Sequence, residues 1–235
     1  MATNTKAVTI YEGRFAVAES AGGIAGVLAE ALAPGEQLSL STFPTIKIPA
    51  GGGLAWTLPD GDPAKEIECV IVHRQPVRAY WAQAFSGEGN PPECASLDNL
   101  VGIGTPGGQC DRCPLNEWES KGDGGSGKAC RQITRLFVLL PDSQLPILMP
   151  IPPSSYKATQ SYVLGLAGTG QSYYSVASAI SLVQSKNRGG ITYSQVAFRR
   201  IAPLGPEVTA RIAAYRTSIL PFLTAAPVSD GEGEA

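Results

Sequence analysis

The chain has 235 residues, 43% of them hydrophobic, with 27 glycines, 19 prolines, one histidine and a net charge of −2. There is enough apolar material for a core but too many chain breakers for a helical bundle, and no apolar run reaches the roughly 18 residues of a membrane span. The near-neutral total hides a segregation: residues 131–200 carry seven basic groups and one acid, while 1–64, 65–130 and 201–235 are each net acidic. A local basic face of this kind fits a polyanion, and a solvated charged surface is the bland alternative.

Residues 17–33 (VAESAGGIAGVLAEALA) predict a helix with Ile24, Val27, Leu28, Ala31 and Leu32 on one face, stopped by Pro34 and Gly35. Residues 43–49 (FPTIKIP) read as a short edge strand, because Pro44 and Pro49 cannot sit in a central one. In EIECVIVHRQ, 66–75, Ile67, Cys69, Ile71 and His73 alternate with Glu68, Val70, Val72 and Arg74, the strongest strand pattern in the chain. VRAYWAQAF, 77–85, alternates too. With Pro76 marking the join, the two predict an antiparallel pair feeding a cysteine-rich loop.

That loop holds Cys94, Cys110, Cys113 and Cys130, spaced C-x15-C-x2-C-x16-C. Two thiolates two residues apart can grip one ion from a single turn, and two distant ones complete a tetrahedron. The intervening sequence is Gly-, Ser-, Asp- and Pro-rich and could not build a core of its own. A bound structural zinc would supply folding free energy on the order of 10 kcal/mol. With four thiolates the shell is closed, leaving no position for a catalytic water. Disulfides are the alternative. The odd count of five cysteines and an N-terminus without a basic and apolar leader point instead to a reducing, cytoplasmic setting.

QITRLFVLLP and LPILMPIPP predict two more strands, the second broken by prolines. Residues 154–167 predict a helix capped by Ser154 or Ser155, with Tyr162, Val163 and Leu166 as its buried stripe. SYYSVASAISLVQSK, the turn NRGG and ITYSQVAFRRI predict a hairpin, and a final helix over about 206–220 opens on Pro206. The expected class is mainly β (α+β): an OB-like antiparallel barrel over 41–203 with a zinc loop at 94–130, a helical extension at 1–40, a C-terminal helix at 204–224 and a disordered acidic tail at 225–235. A β-sandwich with a zinc loop is the structural rival.

No catalytic set emerges, and the chain reads as a non-enzyme. His73 lies mid-strand, GIGTPGG follows no buried strand, and neither Asp60 and Asp62 nor Glu66 and Glu68 gather a third ligand. Aromatic and basic residues interleave on the strands instead. Bases stack on rings while cations track phosphates in single-stranded nucleic acid. The candidate contacts are Arg78, Tyr80, Trp81, Arg135, Lys157, Tyr173, Lys186, Arg188 and Arg199, with Trp81 facing away from Tyr80.

The succession RAYWAQAFSGEGNPPECASLDNLVGIG, CDRCPLNEWES, GKAC, LFVLLP and PPSSYK, within about residues 70–200, resembles a group of phage and mobile-element single-stranded DNA-binding proteins with a zinc-containing OB fold. The resemblance implies that Cys94, Cys110, Cys113 and Cys130 are structural zinc ligands and that the chain coats single-stranded DNA during replication or recombination. It brings no defined set of DNA contacts, and the weak overall charge departs from it. On this reading Asp230, Glu232 and Glu234 form a flexible tail that recruits replication or recombination proteins and competes with DNA. The alternative function is a zinc-stabilised structural or adaptor protein of a phage or replisome, binding other proteins. No membrane partner is expected.

Overall fold

The computed structural model describes residues 14–15, 26, 30–31, 43–83, 90–122, 127–187, 189–228 and 232. These form ten strands: β1 (Trp56–Thr57), β2 (Pro63–Ala64), β3 (Glu66–Tyr80), β4 (Cys94–Ser96), β5 (Val101–Gly104), β6 (Gly108–Gln109), β7 (Arg131–Leu139), β8 (Ile147–Ile151), β9 (Val176–Lys186) and β10 (Thr192–Pro203). Two helices accompany them, α1 (Tyr156–Gly168) between β8 and β9, and α2 (Pro206–Ala225) after β10. The helix expected over 17–33 lies outside the described residues, apart from Gly26, Glu30 and Ala31, which are helical.

β3 organises the rest. The join expected at Pro76 is absent: residues 66–80 are one 15-residue strand. Pro76 is tolerated because only β7 pairs at its position; β9 pairs at 66–69 and β4 at 78–80, leaving an unpaired edge where its missing N–H costs nothing. All ladders in the main sheet are antiparallel, in the order β10-β9-β3-β4-β5-β6, with β7 joining β3 to β8. The expected hairpin forms as β9 and β10, with a bulge between Arg200 and Ala202.

Strand alternation sends side chains to two cores. Ile67, Cys69 and Ile71 of β3 join Leu136 and Val138 of β7, Ile147, Met149 and Ile151 of β8, Ile180 and Leu182 of β9 and Val196 of β10, with Trp56 buried among them. Val70 and Val72 point the other way, with Phe137 and Leu139, onto α2. The α2 stripe is Val208, Ile212, Tyr215, Ile219 and Leu223, spaced at three and four residues so that all five fall on one face. At about 1.5–3 kcal/mol for each buried side chain, this stripe outweighs the roughly 3 kcal/mol cost of Pro221 inside the helix.

The fold is thus mainly antiparallel β with two helices, and no hydrogen-bonded ladder closes it into a barrel among the described residues. The outer edge of β8 is already used: Ile46 donates to the Leu148 carbonyl at 2.8 Å and Leu148 to that of Pro44 at 2.9 Å. Pro150 has no N–H to offer. The expected strand over 43–49 survives only as isolated bridges at Thr45 and Lys47. In place of a ladder, the Val196 N–H donates to Ser155 Oγ at 2.9 Å, and Gln195 Nε2 to the Ser154 carbonyl at 3.1 Å. Ser155 stands at the N-cap of α1 but makes no capping hydrogen bond, because its hydroxyl holds β10 instead. The α1 stripe also differs: Thr159 and Leu166 are buried, while Tyr162 and Val163 are half-buried.

Candidate metal pocket and nucleic-acid face

Between β3 and β7 the chain leaves the sheet and returns, and this excursion carries four of the five cysteines. Cys94 lies on β4, opposite Tyr80 on one side and Gly104 on the other. Cys110 is fixed by its N–H to the Leu100 carbonyl at 2.9 Å, and Cys130 by its N–H to the Leu115 carbonyl at 2.8 Å. Asn116 is the hub. Its Nδ2 donates to the Cys110 carbonyl at 2.7 Å, its N–H to the Cys113 carbonyl at 2.9 Å, and its Oδ1 accepts from Arg78 Nη1 at 2.6 Å and Lys128 Nζ at 3.1 Å. The loop before Cys110 is pinned by Asp98, which accepts from Ser96 and from the Leu100 and Val101 N–H groups. Those bonds, led by the Val101 and Leu100 amides, hold the Asp98 carboxyl below its ordinary range.

All four cysteines line one small cavity together with Arg78, Ser96, Gly102 and Asn116. Its volume is about 10 Å³, at the lower limit for a single water. None of the five cysteines is in a disulfide. The glycines of GIGTPGG acquire a reason here: a Cβ at Gly102 would sit 2.8 Å from Cys94 Sγ. Burial raises the Cys130 thiol, while the Arg78 guanidinium beside it works in the opposite sense, favouring thiolate. As they stand, no three His, Cys, Asp or Glu side chains among the described residues are drawn into a metal-holding group. Cys69 is outside this set, fully buried between strands, where desolvation and then Glu68 push its thiol far up.

The candidate DNA contacts do not converge on one face. Arg135 is 0% exposed, its guanidinium bound to Glu232, to Gln75 and to the carbonyls of Ala226 and Pro227. It is a core ion and cannot meet a phosphate in this arrangement. Glu232, expected in a free tail, is buried with it, and Val228 packs on Val77, Ala79 and Ile133. Asp230 and Glu234 lie outside the described residues. Arg78 is committed to Asn116 and Gln132. Tyr80 and Trp81 are half-buried, the latter donating from Nε1 to the Asn90 carbonyl at 3.2 Å. Tyr173 is half-buried beneath Arg216, which lies over its ring and that of Tyr174. Lys157, Lys186 and Arg199 are exposed. Arg199 meets Glu66 at 2.8 Å, and Arg188 lies outside the described residues.

Apart from Lys157 on α1, the candidate cations that remain exposed lie on the β9–β10 hairpin. Residues 176–203 include Lys186, Arg188, Arg199 and Arg200 and no acid. Sequence pattern missed the one aromatic residue among those described that is exposed, Trp118, 73% accessible on the excursion with Lys128 Nζ 5.3 Å from its ring centre. Nothing in its neighbourhood sets it apart by periodicity. His73 is stacked on Phe137, both its nitrogens buried without a hydrogen-bond partner, so it serves no nucleophile among the described residues. No described helix is long and apolar enough to cross a membrane. No family model, curated protein or solved structure matches the chain.

Proposed function

We propose that this chain is a non-enzymatic single-stranded DNA-binding protein built on an open OB-type barrel, with a zinc-stabilised excursion between its first two barrel strands. The order supports the fold: long β3, an excursion, β7, β8, α1, then the β9–β10 hairpin, with β3 pairing both β7 and β9. All five strands feed one interior cluster, and Ser155 bridges the remaining gap to β10. Zinc at Cys94, Cys110, Cys113 and Cys130 would hold four thiolates in one shell of net charge −2 and tie the coreless excursion together. The shared cavity and the glycine that leaves room for Cys94 Sγ support that donor set.

The observation that carries the binding reading is the acid-free hairpin with Lys186, Arg199 and Arg200 exposed. Cations at a barrel edge and a neighbouring inter-strand loop suit a sequence-tolerant grip on phosphates. Arg199 is paired with Glu66, but an exposed pair contributes only about 0–1 kcal/mol and yields readily to a phosphate. The phage or mobile-element setting and a role in replication or recombination rest on the resemblance of the cysteine motifs. Titration of labelled oligo-dT at two salt concentrations tests the binding, and metal analysis of protein purified without added zinc tests the ion.

The adaptor reading is favoured by a different observation. Leu100, Val101, Ile103 and Trp118 are all exposed on the excursion, where a protein partner rather than a phosphate backbone would cover them. Pull-down with the isolated partner class, a replication or recombination protein, separates it from DNA coating.

A further inference from the structure

We infer that Arg78 and Lys128 form a charge-compensating layer behind the cysteine pocket, with Arg78 the positioning residue that holds the thiolate shell to the sheet. The inference rests on the zinc reading above. A divalent ion inside four thiolates keeps two negative charges in excess, and such a charge drawn partly out of water needs cationic or hydrogen-bonding partners. Apart from the cysteines, Arg78 is the one ionisable side chain among the residues that line the cavity. Its guanidinium lies beside Cys130, and its Nε is buried with no hydrogen-bond partner among the described residues. Arg78 Nη1 donates to Asn116 Oδ1 at 2.6 Å, and Lys128 Nζ donates to the same oxygen at 3.1 Å.

Two half-buried cations gathered on one acceptor repel each other. Neither has a carboxylate within ion-pair distance among the described residues. Asp98, the acid bonded to the cavity residue Ser96, is exposed and accepts from the Leu100 and Val101 amides. An anionic shell in the cavity supplies the missing countercharge. Asn116 joins the two layers, because the residue that accepts from both cations also holds the Cys110 and Cys113 carbonyls. Arg78 then reaches back to the sheet: Nη2 donates at 3.2 Å to Oε1 of Gln132, its register partner on β7. One planar guanidinium thus connects β3, β7 and the turn that carries the C-x2-C pair, which a point charge on a flexible stem could not do. Lys128 adds charge from the excursion itself, its Nζ also lying 5.3 Å from the Trp118 ring centre.

The test is the zinc affinity of the reduced, nucleic-acid-free full chain, measured by competition with a chromophoric chelator, beside absorption spectra of the same proteins loaded with cobalt. Wild type should bind one ion per chain. Arg78→Gln and Lys128→Gln should each weaken zinc binding by about 10–100-fold, the usual cost of losing a group that supports metal ligands. Arg78→Lys returns the charge without the planar fork and should bind more tightly than Arg78→Gln. The cobalt-loaded variants should keep the wild-type thiolate-to-metal absorption, showing the same four donors at lower affinity. Lys128 lies outside the strands, so its variant carries the test even if an Arg78 variant fails to fold. A wild type that takes up no metal would remove the zinc reading and this inference together. Zinc-binding wild type with both glutamine variants at wild-type affinity would overturn this inference alone, as would an Arg78→Lys protein no tighter than Arg78→Gln.

Discussion

The Arg135 guanidinium and the Glu232 carboxylate, 97 residues apart in sequence, meet at two points: Nε to Oε2 at 2.6 Å and Nη2 to Oε1 at 2.9 Å, both side chains essentially inaccessible. The pair closes the C-terminal segment over the outer face of β3 and β7. Ala226 and Pro227 carbonyls take two more Arg135 N–H groups, and Gln75 Nε2 reaches the Thr224 carbonyl.

Removing one partner of such a pair leaves a buried charge uncompensated. Glu232→Gln should therefore destabilise the fold by about 3–5 kcal/mol, read as a shift in the urea midpoint. Replacing both residues by leucine should recover most of that loss, since apolar groups of similar volume avoid the desolvation cost altogether. Truncation after Ala225 should be as damaging as Glu232→Gln, contrary to the expectation of a disordered tail. Equal stability of the truncated and full chains would show that the pair contributes nothing.

Gly102→Ala should lower the metal content of the purified protein well below that of wild type. The added methyl, 2.8 Å from Cys94 Sγ, must push the thiol out of the shared cavity. Cys113→Ser should do the same by losing a donor. In both variants the interior cluster of the main sheet should stay folded, because none of its members belongs to the excursion. Far-UV circular dichroism beside metal analysis reads the two effects separately, and unchanged metal content in Gly102→Ala would contradict the proposed donor set.

His73 makes stability depend on pH. Burial, followed by repulsion from Arg216, pulls its pKa from an ordinary 6.5 down to about 4. Between those values the unfolded chain binds a proton that the folded chain refuses, so stability falls as pH drops through this window. The ring is only part-buried, and the discounted effect is on the order of 1 kcal/mol. His73→Phe keeps a ring against Phe137 and should flatten this part of the profile. Urea unfolding of both proteins at pH 7 and pH 5 measures the difference, and parallel losses in the two would assign the pH dependence to other groups.

The parts of the fold readable in sequence were those where one local rule dominated. Pro206 opened α2, NRGG turned the hairpin, and the apolar runs around Leu136 and Leu148 gave β7 and β8. Failures came where tertiary context overrode the local signal. Pro76 looked like a break because an unpaired strand edge is a property of the sheet. Ser155 looked like a cap because its partner, Val196, is 41 residues away. Arg135 alternated with Phe137 on a strand as a DNA contact would, and only the packed tail distinguishes a buried ion from an exposed one. The four cysteines were legible as a set by spacing alone, and the structure brings them to one cavity. The basic surface was legible as a segment but not as a face. Of its nine candidate residues, Arg135 is buried, Arg78 is tied to Asn116, and the hairpin and the excursion lie at opposite ends of β3.

The most direct test of the account is the salt dependence of oligo-dT binding by the zinc-replete protein, measured by anisotropy of a labelled strand for wild type, Lys186→Ala, Arg199→Ala and Arg200→Ala. The account predicts binding at low salt that weakens linearly on a log–log plot. Each of the three substitutions should reduce affinity and lower the slope by about 0.7, the value for one lost phosphate contact on a single strand. Absence of binding at low salt, or binding whose slope none of the three substitutions alters, would contradict it.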